Sequence, residues 1–179
     1  MKTISKRLSN PRAIILLLIL VLINLALFSI PALAGSRPRI LALAPEYTVP
    51  DMKESYSPDY VYDFLTAIGP EGRHAYQIMH FTTDLAFPFL YSALLFAVLS
   101  RLVDVKSGIN SNLRWIALLP FISDLAENFL MVAITAKYPD FLSGLTRVAQ
   151  GFTYLKFGGL FLCVAVIIVI SIRQKNVRH

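Results

Sequence analysis

The chain of 179 residues has a single cysteine, Cys163. No disulfide can close within it and no C-x-x-C is present, which excludes the paired-thiol chemistry of four-helix thiol–quinone reductases. Histidine is scarce as well: His74, His80 and His179. Only His80 falls inside a long apolar run, so a haem held between two histidines of this chain is excluded too. Charge is thin, at 16% Asp, Glu, Lys and Arg, against about a quarter in soluble domains. There is no G-x-S-x-G nucleophile motif, no internal repeat and no low-complexity tract.

What remains is apolar: 56% of the residues are hydrophobic. Crossing the hydrocarbon core takes about 20 such residues in a helix. Residues 13–34, 77–103, 113–136 and 148–172 qualify. The expectation is an all-α membrane protein of one domain, a four-transmembrane-helix bundle, with residues 35–76 as an extracytoplasmic segment.

The net charge of +6 does not point to nucleic acid, because the basic residues sit at the ends of the apolar runs. There they orient helices. Ten lie on one side: Lys2, Lys6, Arg7, Arg12, Arg101, Lys106, Arg114, Arg173, Lys175 and Arg178. Six lie on the other, spread over a longer stretch: Arg37, Arg39, Lys53, Arg73, Lys137 and Arg147. The positive-inside rule then puts both termini in the cytoplasm and the protein in the cell membrane. Ala32-Leu33-Ala34 before Gly35 also fits a signal-peptidase site. Cleavage there leaves three spans; the length of the first apolar run favours retention and four.

Between the first two runs, Ser57-Pro58-Asp59 predicts a helix start, with Ser as N-cap, Pro at the first helical position and an acid in the first turn. Val61, Phe64, Leu65 and Ile68 form its apolar face, and Gly69-Pro70 ends it. Tyr56, Tyr60 and Tyr62 suit a membrane boundary.

The second run carries a polar stripe. Arg73, Gln77, His80, Asp84 and Tyr91 follow at helical spacing, so they share one face. Pro88 lacks the N–H that would bond the Asp84 carbonyl, which opens a polar spot in the helix. On the third run Asp124, Glu127 and Asn128 share a face, one turn after Pro120. On the fourth, Thr153 and Lys156 do, with Gly158-Gly159 allowing close approach. At ~1.5 Å per residue, Asp84, Glu127 and Lys156 all fall about 10–14 Å from the outer boundary. A lone charge at that depth costs on the order of 3 kcal/mol, so Lys156 is expected to pair with Asp84 or Glu127. Three carboxyls face one lysine, which leaves at least one carboxyl to hold a proton.

Several functions suit this cluster. In the acid–base reading, Asp84, Glu127, Asp124 and Lys156 move or hold protons at a pocket for a lipid-soluble small molecule. Arg73, His80, Tyr91, Asn128 and Thr153 then bind that molecule, Arg73 by a head-group phosphate. In the structural reading the same groups hold the helices in register, as in an accessory subunit docked on a membrane-protein partner. A homo-oligomeric proton- or cation-coupled transporter is a third reading. His80 and Asp84 with Asp124 and Glu127 also make a donor set that suits iron or manganese, although no motif implies a metal or any other cofactor. Membrane lipid is the partner common to all these readings.

Gly72-Arg73 to Tyr76, Asp84 with Phe87-Pro88 and Tyr91, Asp124 with Glu127-Asn128, and Thr153 with Lys156 form a pattern that resembles a group of small prokaryotic four-helix integral membrane proteins with no assigned activity. The resemblance implies four retained spans and carries no chemistry across.

Overall fold

The computed structural model describes residues 7–104 and 109–176. Lys2, Lys6, Lys106, Arg178 and His179, and the side chain of Lys175, lie outside the described part. Among the described residues the secondary structure is entirely helical. In chain order the α-helices are α1 (Pro11–Leu27), α2 (Arg37–Leu41), α3 (Pro58–Ala67), α4 (Gly69–Phe81), α5 (Thr83–Asp104), α6 (Leu118–Ala136) and α7 (Ser143–Asn176). Short 3-10 turns cover Pro50–Met52 and Ser111–Ala117. Three stretches are long and apolar enough to cross a membrane: Gly69–Val103, Ser111–Ala136 and Ser143–Gln174. They mark the chain as a membrane protein.

Helix α1 starts where Asn10 caps it, its side chain accepting from the Arg12 N–H at 3.0 Å. It stops at Leu27, short of the expected residue 34. Pro31 explains the difference, because its ring disfavours helical backbone before it and its missing N–H cannot bond the Leu27 carbonyl. At 17 residues α1 is shorter than the other three apolar helices. It packs on α5, and past its end Phe28 is buried with its ring 6.0 Å from that of Phe87.

Helix α3 forms as expected. Ser57 accepts from the Tyr60 N–H at 3.1 Å, and Val61, Phe64, Leu65 and Ile68 are buried. That face packs into the bundle core with Tyr76, Met79 and Met131. Gly69-Pro70 ends α3 but also begins α4, with Gly69 at φ +63° turning the chain. The apolar stretch expected from residue 77 therefore starts eight residues earlier, at Gly69. It is also interrupted: Thr82 has φ −118° and ψ −98°, between α4 and α5. The Thr82 hydroxyl donates to the Ile78 carbonyl at 2.6 Å, competing with the helical ladder.

Helices α6 and α7 pack along each other. A Cβ on Gly159 would lie 2.8 Å from Pro120 Cδ and 3.0 Å from its nitrogen, so glycine permits the close approach. Gly158 has open space around it. Gly159→Ala is expected to push α7 off α6 at a cost of about 1–2 kcal/mol by overpacking, whereas Gly158→Ala costs little. Unfolding in mixed micelles by rising SDS fraction measures both, and equal stability of the two variants would contradict the assignment.

Candidate functional site

Helices α6 and α7 and the segment around Asp51 meet at Lys156. Its ammonium lies 2.6 Å from Glu127 Oε2, 3.3 Å from Asp124 Oδ1 and 3.3 Å from the Asp51 carbonyl oxygen. Lys156 is 7% exposed and Glu127 fully buried. A cation so placed needs anionic partners, and two carboxyls one turn apart on α6 supply them.

Each carboxyl is held from its other side. Glu127 Oε1 accepts from the Tyr56 hydroxyl at 3.2 Å and from the Thr153 hydroxyl. Burial, then the nearby Glu127 carboxylate, push the Tyr56 phenol up from its ordinary range, so Tyr56 stays a hydrogen-bond donor. Asp124 Oδ2 lies 2.9 Å from the Tyr91 hydroxyl, which is also 2.9 Å from the Pro120 carbonyl. One hydroxyl proton serves two acceptors there.

A second set gathers at the start of α5. His80 Nδ1 lies 2.6 Å from Asp84 Oδ2, with both residues buried. The Tyr76 ring packs on the imidazole at 4.5 Å, and its hydroxyl donates to Asp51 Oδ1 at 2.9 Å. Asp51 thus links the two sets, by its carboxylate to Tyr76 and by its carbonyl to Lys156. Asn128 Nδ2 donates to the Asp84 carbonyl at 3.0 Å. This is the carbonyl that Pro88 deprives of its helical partner.

The expected residues Asp84, Asp124, Glu127, Lys156, His80, Tyr91, Asn128 and Thr153 are therefore brought together. Lys156 pairs with Glu127, as one of the two expected partners, while Asp84 pairs with His80. Arg73 is not part of the cluster. Its guanidinium donates to the Leu65 carbonyl at 2.7 Å and lies 4.0 Å above the Tyr138 ring. Two full turns separate it from His80, about 10 Å along the helix.

Two members escaped the sequence. Asp51 sits in an irregular segment where no periodicity marks it, although an acid flanked by Val49, Pro50 and Met52 is a weak sign of burial. Tyr56 read as a boundary aromatic. Both arrive because the segment from residue 42 to 57 folds over this end of the bundle. Among the described residues no three His, Cys, Asp or Glu side chains form a metal-ligand set. Lys156 lies between Asp124 and Glu127, and Asp84 is engaged by His80.

At the opposite end of the bundle, Leu113, Val166, Val169, Ile170 and Arg173 line a groove of ≈ 330 Å³, remote from these groups. No protein-family model, curated protein or solved structure matches the chain.

Proposed function

We propose that this chain is a cell-membrane protein whose buried ionisable cluster does acid–base work on a lipid-soluble molecule. The observation that carries the reading is the His80–Asp84 pair. A carboxylate on one imidazole nitrogen orients the ring and leaves the other free to take or give a proton. His80 Nε2 is buried and has no hydrogen-bond partner within the protein. A group that only held helices together would use both nitrogens. Asp84 is the orienting residue, and Glu127, Asp124 and Lys156 form the neighbouring charge network. Tyr91, Thr153 and Tyr56 hold the Asp124 and Glu127 carboxyls, and Asn128 holds the Asp84 backbone carbonyl.

Asp84→Asn tests this directly. The amide still accepts from Nδ1–H, so the fold survives, but it does not stabilise the ring's charged form. His80→Gln removes the proton carrier. Both variants are expected to remain folded in detergent and to lose about 10²- to 10⁴-fold in activity. Activity is read as the change in lipid composition that a deletion strain shows and the wild-type gene reverses. If both variants reverse it as well, the acid–base reading fails and the cluster is structural.

The same proposal includes four spans with cytoplasmic termini, α1 being retained. At ~1.5 Å per residue α1 is about 25 Å long, at the short end of what spans a bilayer. Asn24 on α1 donates to the Thr83 carbonyl at 3.2 Å. Gly35 sits against the Met79 backbone, where a Cβ would lie 2.6 Å from the nitrogen. Cleavage after Ala34 would remove Asn24 and leave the Thr83 carbonyl without it, while Gly35 would remain. The intact mass of protein extracted from membranes is expected to include α1, and a mass beginning at Gly35 would overturn this part.

A further inference from the structure

The groove at the other end of the bundle is built by two parts of the chain. Helix α7 contributes Val166, Val169, Ile170 and Arg173, which at i, i+3, i+4 and i+7 form one stripe. The stretch leading into α6 contributes Ile109 and Leu113. Val169 is 52% exposed while lining the groove, so the groove opens sideways, where hydrocarbon lies. The order along α7 has a direction. Arg173 is next to last in the apolar stretch Ser143–Gln174, so it stands at the aqueous boundary and the apolar lining runs inward from it. A membrane lipid has the same order, with its head at the boundary and its chains inward.

An acyl chain gains little by leaving the bilayer for an apolar groove, because lipid tails are as apolar as leucine. Selection must come from the head. Among the described lining residues Arg173 is the only charged one, and it makes no hydrogen bond or ion pair with the described residues. Two other arginines of this end are committed to the protein, Arg101 to the Ser9 carbonyl at 3.2 Å and Arg114 to the Ser111 carbonyl at 2.7 Å. Asn110 also lines the groove. Its Oδ1 accepts from the Asn112 N–H at 2.9 Å, which leaves its Nδ2 to donate. A guanidinium beside an amide N–H matches the oxygens of a phosphate. The ten basic residues on this side of the apolar runs are accompanied by one acid, Asp104. A head that carries its own cation, as in phosphatidylcholine, is repelled by that field, whereas a head of net negative charge is drawn in.

We propose that this groove is a site for one anionic phospholipid, its acyl chain along Val166, Val169 and Ile170 and its phosphate on Arg173 and Asn110. The site shares no residue with the His80–Asp84 cluster and does not rest on the acid–base reading.

The test uses the full chain in phosphatidylcholine nanodiscs, with phosphatidylglycerol or phosphatidylcholine brominated on the chain mixed in at the same fraction. Trp115, the one tryptophan, is the reporter that bromine quenches; it is 40% exposed and two residues beyond Leu113. Brominated phosphatidylglycerol is expected to quench as though enriched about fivefold over its share of the bilayer, the worth of one basic residue at a membrane surface. Brominated phosphatidylcholine is expected to quench only in proportion to its share. Arg173→Gln should bring the two lipids level, and Ala165→Phe, which fills the groove from α7, should do the same. Arg12→Gln removes an exposed charge of the same end away from the groove, and should leave the enrichment in place. Four results would overturn the site: equal quenching by the two lipids, enrichment that survives Arg173→Gln or Ala165→Phe, an equal loss in Arg12→Gln, which means diffuse attraction, or no quenching by either lipid, which puts a second copy of the chain over the groove. If Ala165→Phe fails to fold, the two arginine variants still decide. Asp84→Asn is expected to keep the enrichment, so a failure of the acid–base reading and a failure of this site are told apart.

Discussion

Replacing Lys156 with methionine is expected to destabilise the protein by about 3–5 kcal/mol, the cost of removing one partner from a buried ion pair. The reason is what the lysine leaves behind. Asp124 and Glu127 lie on one face of α6, and the ammonium 2.6 Å from Glu127 and 3.3 Å from Asp124 is the cation set between them. Methionine fills much of the volume but supplies no charge. The loss should be largely recovered by adding Asp124→Asn and Glu127→Gln, because neutral amides can bond Tyr91, Tyr56 and Thr153 without a counter-ion. SDS-driven unfolding of the wild type, the single variant and the triple variant measures both steps. A single variant as stable as wild type would show that the charges are not mutually dependent. The triple variant also separates function from structure. If it is stable yet fails to reverse the lipid change of the deletion strain, the charges act in chemistry; if it reverses that change fully, they serve only the fold.

The parts of this arrangement that follow local periodicity were legible in the sequence. The spacing of Asp124, Glu127 and Asn128 puts them on one face whatever the neighbours do, and the penalty on charge in hydrocarbon requires Lys156 to find them. Ser57-Pro58 fixes the start of α3 by the same local logic. What could not be read was set by competition or by distance along the chain. The interruption at Thr82 contains neither Gly nor Pro. Its threonine hydroxyl takes the Ile78 carbonyl, but Thr135 and Thr153 make the same bond inside unbroken helices, so no local signal marks the break. Pro88 read as the point where the helix would open, yet the opening lies one and a half turns earlier. Asp51 reaches the cluster across 105 residues of chain from Lys156, and nothing local encodes that. The half of the site made by the long apolar helices was expected, and the half that Asp51 and Tyr56 bring over the end of the bundle was not.

The Pro88–Asn128 relation allows a sharper test than any single substitution. Pro88 cannot donate to the Asp84 carbonyl, and Asn128 Nδ2 does so from α6 at 3.0 Å. Asn128→Leu should therefore strand a buried carbonyl and cost up to ~3 kcal/mol, well above the modest net worth of an ordinary interhelical hydrogen bond. Pro88→Ala restores an N–H at the position where a helix would normally supply it. In that background the carbonyl has a partner of its own, and Asn128→Leu should cost less than about 1 kcal/mol. The coupling in this double-mutant cycle is then about 2 kcal/mol, within the range for residues that share a partner. Additive effects of the two substitutions would mean that the asparagine does not stand in for the missing backbone donor.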